Sequence, residues 1–330
     1  MTGRSDAGRV LTPAFVVALC CLAFSASAGA AEPKLTVAKT RLAAALKCSP
    51  GIDRATRTPI MLVTGTGTSG DEAYGIGKPA FDLIGAPVCR VNFPNNTTAD
   101  MQVSVEYLVY GLRTMARRSG RPVMVFGISQ GGLLPRVALT YWPSLRRVVS
   151  DVVSAAGTHH GTTVGAGSCG HNGVTCIPAG FQQAAGSNFL KALNRRGRDE
   201  TPGPTSWTTV RSATDGTVQP SSGPRPSPSL RGATNVLIQD ICPGRQVSHV
   251  GTALDSVTFA LAIDALNHRG PARLSRLPGD VCAHPYAPGL NEALTTTILQ
   301  AAGALMAGRG EAEPRVAREP RLRAWMRRAG

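Results

Sequence analysis

The sequence predicts an α/β fold with a mostly parallel central sheet flanked by helices. Three observations predict it: short β-branched runs bounded by turn residues, helical patterns between them, and 42% apolar residues in a chain of 330. A chain of this length and composition can bury a large core. Strands that alternate with helices are typical of parallel sheets, because a parallel connection needs a crossover. We expect one domain over residues 31–307.

Several apolar runs have the β-branched bias of buried parallel strands. They lie at residues 60–63, 88–93, 123–126, 148–155, 208–212 and 236–241. The stretch at residues 219–232 is rich in proline and serine and falls between the last two runs. We therefore interpret it as a loop within the domain rather than as a linker.

The clearest helix is predicted over residues 99–118, between the second and third strands. Its apolar residues recur at spacings of four and three and therefore share one face. These residues are Met101, Val105, Leu108, Leu112 and Met115. Helical patterns also cover residues 187–195, 254–267 and 292–306. The segment from residue 88 to residue 126 therefore predicts one βαβ crossover.

The first thirty residues have the features of a secretion signal. Arg4 and Arg9 precede an uncharged run at residues 11–24, which is too short to cross a bilayer as a stable helix, and small residues follow at 26–30. No later segment is long and apolar enough to span a membrane. We predict that residues 1–30 are removed and that the mature protein is secreted as a soluble extracellular monomer.

Six cysteines remain after removal of the predicted signal, which contains Cys20 and Cys21. An even number of cysteines in an oxidising compartment outside the cell predicts three disulfides. They are Cys48, Cys89, Cys169, Cys176, Cys242 and Cys282. Cys169 and Cys176 enclose a short loop that can close on itself, whereas the other four allow three pairings. A zinc site with His159, His160 and His171 is the alternative. Because oxidised cysteines cannot bind metal and no Cys-x2-Cys pair is present, we expect no metal.

The chain has a formal charge of +15, from 35 Lys and Arg against 20 Asp and Glu. Such a charge promotes adsorption to anionic surfaces and does not determine the fold. Part of it lies in residues 308–330, where the arginines surround Trp325; they are Arg315, Arg318, Arg321, Arg323, Arg327 and Arg328. We interpret this stretch as a basic, flexible tail, with an anchor for lipid or other anionic surfaces as the alternative. No nucleic acid partner is expected.

A nucleophile is predicted at Ser129. The pentapeptide Gly127-Ile128-Ser129-Gln130-Gly131 directly follows a predicted strand and precedes a helical pattern. This is G-x-S-x-G in the strand, turn and helix context in which the serine occupies a tight, strained turn. The flanking glycines leave room for the neighbouring strand and helix. The alternative is a Gly-Ser turn without chemistry.

A serine nucleophile needs a histidine that accepts its proton and a carboxylate that orients the histidine. In this fold the chain order is serine, acid, histidine. Asp215 follows the predicted strand at 208–212, although an aspartate in an ordinary Asp-Gly turn is the alternative. His249 lies in a loop between the last strand and a helix, whereas His268 ends a helix and His284 lies in a proline-flanked loop. We predict His249 as the general base.

The oxyanion that forms when a serine attacks a carbonyl carbon needs hydrogen-bond donors that are already in place. The loop at residues 64–70, TGTGTSG, follows the first strand and offers N–H groups and hydroxyls. We predict Thr66 and the backbone N–H of Gln130 as the donors. The loop also matches the dinucleotide pattern G-x-G-x-x-G, but the acidic pair Asp71 and Glu72 would lie beside the pyrophosphate. We therefore expect no cofactor.

Four segments and the placement of the cysteines closely resemble the secreted α/β-hydrolases typified by lipase B of Candida antarctica and its bacterial relatives. The segments are MLVTGTGTSG, ISQGG, SATDGTVQP and VSHVGTAL. The resemblance covers most of the chain between Cys48 and Cys282 and implies an α/β-hydrolase fold that acts on esters. It also implies that Ser129, Asp215 and His249 form the catalytic triad and that Thr66 and Gln130 form the oxyanion hole. It implies two disulfides as well, Cys48–Cys89 and Cys242–Cys282.

The chain departs from this family at several places, although Gln183 matches it. Ile128 stands where the yeast enzyme has Trp, so the floor of the alcohol pocket should admit bulkier groups. Thr158 aligns with an acidic residue near the acyl chain, and Gln183 resembles a pocket-lining residue, with a solvent-exposed helix position as its alternative. The arginine-rich tail replaces a C-terminal disulfide, and the pair Cys169 and Cys176 is an addition.

These observations predict a secreted serine carboxylic ester hydrolase, a triacylglycerol lipase, that forms an acyl-enzyme on Ser129. A cutinase-like or polyester esterase is the first alternative, although cutinases have a shorter interval between the acid and the histidine. A non-catalytic cationic protein that binds the cell envelope is the second. The expected partner is an ester or lipid substrate.

Overall fold

A computed structural model describes residues 1–3, 31–165 and 169–328. Nearly all of the predicted secretion signal, residues 4–30, lies outside the described residues. Residues from Glu32 onward form one unit. Among the helices that are described, none combines the length and the apolar character that a bilayer crossing requires.

A seven-stranded sheet with the order β1-β3-β2-β4-β5-β6-β7 forms the centre of this unit. Its strands are β1 (Leu46–Cys48), β2 (Ile60–Val63), β3 (Val88–Val91), β4 (Val123–Ile128), β5 (Val149–Ala155), β6 (Ser206–Arg211) and β7 (Thr234–Leu237). All neighbours pair in parallel except β1, which runs antiparallel to β3. The prediction of an α/β-hydrolase fold with a mostly parallel sheet is confirmed.

The last strand is shorter than predicted. The run at 236–241 leaves the sheet after Leu237, and Ile238–Ile241 form a short helix instead. Ile238, the first residue of that helix, is fully buried in the core. A continuous apolar run cannot by itself distinguish a strand from a buried helical turn, which is why the predicted strand extended too far.

Helices cover both faces of the sheet. They are α1 (Lys39–Ala45), α2 (Gly70–Ile84), α3 (Met101–Ser119), α4 (Gln130–Tyr141), α5 (Pro178–Gln183), α6 (Asn188–Leu193), α7 (Ile238–Ile241), α8 (Gly251–Leu254), α9 (Ser256–Asn267), α10 (Glu292–Ala312) and α11 (Ala324–Arg328). Alternate residues of β2 point to opposite faces, so Met61 and Val63 pack in one core cluster and Ile60 and Leu62 in the other.

The predicted crossover helix is α3. The Asp100 side chain accepts a hydrogen bond from the backbone N–H of Gln102 at its start, and Gly120 ends the helix with a φ of 64°. All five apolar residues that were predicted to share one face are fully buried. The amphipathic pattern therefore located this helix to within a few residues.

Helix α2 was not predicted, although its sequence carries a start signal. Ser69 and Glu72 form a capping box, in which the Ser69 hydroxyl accepts from the Glu72 N–H and the Glu72 carboxylate accepts from the Ser69 N–H. The helix then places Phe81 against Phe126 and Phe259, with ring centroids 5.3 to 5.7 Å apart. Beneath the carboxyl end of the sheet, α2 and α9 therefore share an aromatic core.

The C-terminal residues differ from the flexible tail that was predicted from residue 308. Helix α10 runs past that boundary, and further along Trp325 contacts Tyr141 and Trp142 at centroid distances of 4.8 and 5.0 Å. Met326 is fully buried, and Arg323 pairs with the buried carboxylate of Glu106. Trp325 and Met326 therefore pack the C-terminal segment against the core. The prediction of a flexible tail relied on the many arginines around them and did not use these two apolar side chains.

Three disulfides are formed: Cys48–Cys89, Cys169–Cys176 and Cys242–Cys282. The first joins β1 to β3, and the third joins the residue after α7 to the loop before α10. The second closes a loop that bears on the site described next. These are the pairings that the resemblance and the short spacing of Cys169 and Cys176 implied.

Candidate active site

Ser129 lies at the turn between β4 and α4, with a φ of 57° and a ψ of −124°. A positive φ is costly for a residue other than glycine and is found where the surrounding structure enforces it. A Cβ on Gly127 would lie 2.1 Å from the carbonyl oxygen of Gly131, and a Cβ on Gly131 would lie 2.1 Å from that of Val63. Both glycines are therefore required for the turn that presents Ser129.

The loop after β2 runs directly beside this turn. A Cβ on Gly65 would lie 3.1 Å from the Cβ of Ser129, so the close approach depends on glycine here as well. The Thr68 hydroxyl donates to the Gly65 carbonyl at 2.9 Å, and the Thr97 hydroxyl donates to the same carbonyl at 2.5 Å. The backbone around Thr66 is thereby fixed next to Ser129.

Asp215 lies in the loop that follows β6, at the carboxyl end of the sheet. One carboxylate oxygen, Oδ1, accepts from the backbone N–H groups of Thr217 at 2.7 Å and Val218 at 3.0 Å. The other, Oδ2, lies 2.8 Å from Nδ1 of His249. One oxygen of Asp215 therefore bonds the backbone of its own turn, and the other contacts the histidine that was predicted as the general base.

Burial by itself raises the pKa of the Asp215 carboxyl group, but the hydrogen bond and charge of His249 and the two backbone donors outweigh burial and lower that pKa below its usual value. Asp215 is therefore an anion at neutral pH. An anion at this distance holds the Nδ1 proton of His249 in place and leaves Nε2 to accept a proton.

His249 lies between β7 and α8, and its ring faces the same two cavities as Ser129. Among the described residues, no hydrogen bond joins the Ser129 hydroxyl to His249; such contacts commonly tighten when substrate binds. The two other histidines of the C-terminal half lie elsewhere. His268 contacts the carbonyl oxygen of Asp264 in α9, and His284 is exposed near Asp280.

A chain of side-chain hydrogen bonds surrounds Thr66. Its hydroxyl donates to Oε1 of Gln130 at 2.7 Å and accepts from Nε2 of Gln183 at 2.9 Å. The Thr158 hydroxyl donates to Oε1 of Gln183 at 3.0 Å, which fixes the orientation of that amide. The backbone N–H of Gln130 opens helix α4 and has no partner within the helix. Thr66 and Gln130 therefore offer donors on the side of Ser129.

Gln183 is the residue whose surroundings the sequence described least well. Its alternative interpretation as a solvent-exposed helix position is wrong, because it is only 6% exposed and bonds to Thr66 and Gln130. Helix α5 ends at Gln183 and begins at Pro178. Six residues are too few for a helical periodicity to reveal which face is buried, so only the resemblance pointed to this position.

Two cavities meet at Thr66, Ser129 and His249, and they differ in polarity. The first lies over the aromatic core and is almost wholly apolar; its lining includes Leu62, Phe81, Phe126, Ile128, Leu254 and Phe259. The second is bordered by hydroxyls, an amide, a disulfide and a guanidinium; its lining includes Thr158, Thr162, Cys169, Cys176, Gln183, Thr217 and Arg315. A substrate with two unlike halves could place its reactive centre at the junction.

The histidines of the alternative zinc site have other contacts where they are described. The His159 ring is buried, with Nε2 3.0 Å from the Ser154 hydroxyl, and burial lowers its pKa well below the usual value. His160 contacts the Ser229 carbonyl. In the described part of the chain, no group of three metal-ligating side chains comes together.

Comparison with known proteins identifies relatives that match most of the chain. No family model matches the chain. The chain is 31% identical to lipase B of Pseudozyma antarctica over 289 residues, which cover 84% of this chain and 83% of that protein. The crystal structure of Aspergillus fumigatus lipase B matches with a TM-score of 0.78 and 30% identity, over 89% of this chain and 73% of that one. Bacillus licheniformis lipase BlEst2 in its propeptide form, at 16% identity and a TM-score of 0.52 over 69% of this chain and 54% of that one, shares the fold.

Proposed function

The chain belongs to the lipase B family of ester-hydrolysing serine hydrolases, and we propose that it is a secreted lipase in which Ser129 is the nucleophile, His249 the general base and Asp215 the orienting acid. The observation that carries the proposal is the 2.8 Å contact between His249 Nδ1 and Asp215 Oδ2, at a point where His249 and Ser129 border the same two cavities. Burial of Asp215 and His249 keeps this contact away from solvent.

In the first half of the reaction, Ser129 Oγ attacks the ester carbonyl carbon while His249 Nε2 accepts the hydroxyl proton. The imidazolium that forms is stabilised by the anionic carboxylate of Asp215. The carbonyl π electrons move to the oxygen, which becomes an oxyanion. When the tetrahedral intermediate collapses, His249 gives its proton to the leaving alcohol, and the acyl group remains on Ser129.

The oxyanion is met by the backbone N–H groups of Thr66 and Gln130 and by the Thr66 hydroxyl. Before substrate binds, this hydroxyl donates to the side chain of Gln130. Gln183 donates to the Thr66 oxygen, so the Thr66 proton is the one left to turn toward the oxyanion. Donors that are held before the charge develops lower the barrier, and each is worth about 3 kcal/mol.

In the second half, a water molecule replaces the alcohol. His249 removes a proton from this water, the resulting oxygen attacks the acyl carbon, and the same donors stabilise the second oxyanion. Collapse returns the proton to Ser129 Oγ and releases the carboxylic acid. No cofactor or metal takes part in any of these steps.

The apolar cavity supports a lipid ester as substrate. Apart from three threonines, Ser129 and His249, its lining is aromatic, aliphatic or glycine and carries no charged Lys, Arg, Asp or Glu among the described residues, so it suits a hydrocarbon part. Ile128 lies in that lining, at the position where the resemblance predicts a wider alcohol pocket. A triacylglycerol, whose alcohol half carries further acyl chains, would use such width.

The three disulfides support secretion, because disulfides persist in oxidising compartments. They agree with the secretion signal that residues 1–30 predict. The proposal is therefore an extracellular enzyme that meets its lipid substrate outside the cell.

A fluorophosphonate probe tests the nucleophile. We expect covalent labelling of the native protein and none of Ser129→Ala, with Ser150→Ala as the matched control that remains labelled. Ser150 lies in β5 and borders neither cavity. A protein that is folded by circular dichroism but is never labelled would contradict the proposal and support the cationic binding protein. Full turnover of a p-nitrophenyl ester by His249→Ala would contradict the assignment of the base.

A further inference from the structure

A groove rich in basic side chains lies outside the active site, between helix α6 and the segment at residues 319–327. Among its described residues, four basic side chains face a single acidic one, Glu319; they are Lys191, Arg195, Arg321 and Arg327. In the part of the chain that is described, Lys191, Arg321 and Arg327 form no ion pair with a carboxylate. This basic groove therefore carries positive charge that the protein itself does not pair.

Hydrogen bonds hold the C-terminal side of the basic groove in place. The two carboxylate oxygens of Glu319 accept from the backbone N–H groups of the first two residues of α6, at 2.8 Å each. The amide of Gln102 in α3 donates to the Arg321 carbonyl at 3.1 Å and accepts from the Arg323 N–H at 2.6 Å. Glu319 is thus engaged with the backbone, and the chain that carries Arg321 has a fixed position.

The basic groove lies close to the second of the two active-site cavities. Val316 pairs with Cys176 in an antiparallel bridge, with N–H to carbonyl distances of 2.8 and 3.1 Å, and Cys176 borders that cavity. Glu319 comes three positions after Val316, so their Cα atoms lie within about 11 Å of each other. A surface bound at the groove would therefore lie beside the cavity that leads to Ser129.

The rim of the second cavity is apolar where it meets solvent. Val164 and Val174 border this cavity and are 46% and 40% exposed. An apolar rim beside a group of cations matches the two parts of a lipid surface, its acyl chains and its anionic headgroups. Single-stranded nucleic acid is bound by exposed aromatic side chains on which bases stack, and the described lining of the basic groove contains none. These features favour a lipid surface over nucleic acid.

We propose that the basic groove is a docking surface for the anionic headgroups of a phospholipid membrane, and that docking there brings the second cavity to the lipid. The inference goes beyond the proposed function, because it concerns binding and holds whether or not the bound lipid is the substrate. Each basic side chain near an anionic membrane adds to the attraction, and salt screens it. The arginine-rich stretch then acts as an anchor although it is folded against the core.

Sedimentation with lipid vesicles tests the docking surface. The vesicles contain phosphatidylcholine alone, or phosphatidylcholine and phosphatidylglycerol in equal parts, and the partition coefficient of the protein is measured on each. The native protein should prefer the anionic vesicles, and this preference should weaken as the ionic strength rises from about 0.01 M to about 1 M. With Lys191→Gln and Arg321→Gln combined, the partition coefficient on anionic vesicles should fall about 25-fold, because each charge contributes about fivefold.

Two matched variants control for net charge and for folding. Arg269→Gln combined with Arg273→Gln removes the same charge from exposed residues that follow α9, whose core cluster lies on the other face of the sheet from that of α6. This variant should bind anionic vesicles nearly as well as the native protein. Lys191→Arg combined with Arg321→Lys keeps both charges and should keep the binding. All three variants should hydrolyse a soluble p-nitrophenyl ester normally, since none of these residues borders either active-site cavity.

The inference is overturned if the native protein binds the two kinds of vesicle equally or binds neither. It is also overturned if the two glutamine variants lose binding equally, since net charge rather than the groove would then be responsible. Binding of single-stranded DNA that only the Lys191 and Arg321 glutamine variant loses, without vesicle binding by the native protein, would assign the groove to nucleic acid. Failure of the proposed function would look different, because a protein that binds anionic vesicles but hydrolyses no ester contradicts only that function.

Discussion

Asp215 and Asp151 are both buried and lie at opposite ends of neighbouring strands. Asp215 follows β6 at the carboxyl end of the sheet, and Asp151 lies near the start of β5, where it is in register with Ser206. They are 2% and 7% exposed, so burial is similar. Nevertheless the pKa of Asp215 is lowered, whereas burial raises the pKa of Asp151 to about 6.

The difference comes from the hydrogen-bond donors around each carboxylate. Asp215 receives two backbone N–H groups and His249, while Oδ1 of Asp151 has no hydrogen-bond partner among the described residues. Inside a sheet, the backbone N–H groups are already bonded to the neighbouring strands. In a loop beyond the strand end they can turn toward a side chain. Donors therefore outweigh burial at Asp215, beyond the end of its strand, and burial dominates at Asp151, within its strand.

The largest expected effect is on catalysis at the carboxyl end. Asp215→Asn should lower kcat for a p-nitrophenyl ester about 10⁴-fold, because the amide favours the wrong tautomer of His249 and cannot stabilise the imidazolium. Steady-state kinetics at neutral pH measures the loss. Asp151→Asn is the matched control, and its kcat should equal that of the native protein. Equal losses of kcat in the two variants would mean that the effect of Asp215 on catalysis comes from its burial and not from its pairing with His249.

The next effect concerns the donors at the same end of the sheet. Thr66→Val keeps the backbone N–H and removes the hydroxyl, so kcat should fall about 10²-fold to 10³-fold with little change in KM. Thr66→Ser restores a hydroxyl at the same position and should recover most of the rate. If the valine and serine variants both kept the native kcat, Thr66 would contribute to the oxyanion hole only through its backbone N–H.

The sequence located the carboxyl end of the sheet far better than the rest of the molecule. Ser129, Asp215 and His249 were predicted as a triad because strained turns and strand ends require particular residue types in a particular order, and the structure places Asp215 against His249 and lines the same cavities with His249 and Ser129. Nothing marked Asp151, since an aspartate in a β-branched run looks the same in the sequence whether its carboxylate has many hydrogen-bond donors or few. Tertiary contacts decide such a position, and local pattern does not contain them.

In two segments the prediction followed the overall composition and missed a local sequence signal. Ser69 and Glu72 form the capping box of α2, but the glycines around them favoured a loop. Trp325 and Met326 dock the C-terminal segment although arginines dominate its composition. In both cases two particular residues contribute strongly to the local structure. The average composition of the surrounding residues does not reveal such a pair. Gln183 was found only through the resemblance, because its role depends on Thr66 and Thr158 from distant loops.

The smallest effect concerns stability, and its sign should differ between the two aspartates. The pKa of Asp151 is about 6 in the folded protein, above its ordinary value, so above pH 6 folding keeps a poorly solvated anion buried. Between about pH 4 and pH 6 the folded state binds more protons than the unfolded state, and stability falls as pH rises. Asp151→Asn removes this charge and should raise the free energy of unfolding at pH 8 by about 3 kcal/mol.

The gain from Asp151→Asn should disappear as the pH falls below about 4, because the native carboxyl group is then neutral in both states. Asp215 provides the opposite case. Its pKa is lowered in the folded protein, so its contribution is present above the unfolded pKa and is lost as pH falls through the folded one. Asp215→Asn should therefore destabilise the protein at pH 8. Urea unfolding at pH 4 and pH 8 compares the variants, and changes of the same sign at pH 8 would mean that donors do not distinguish the two sites.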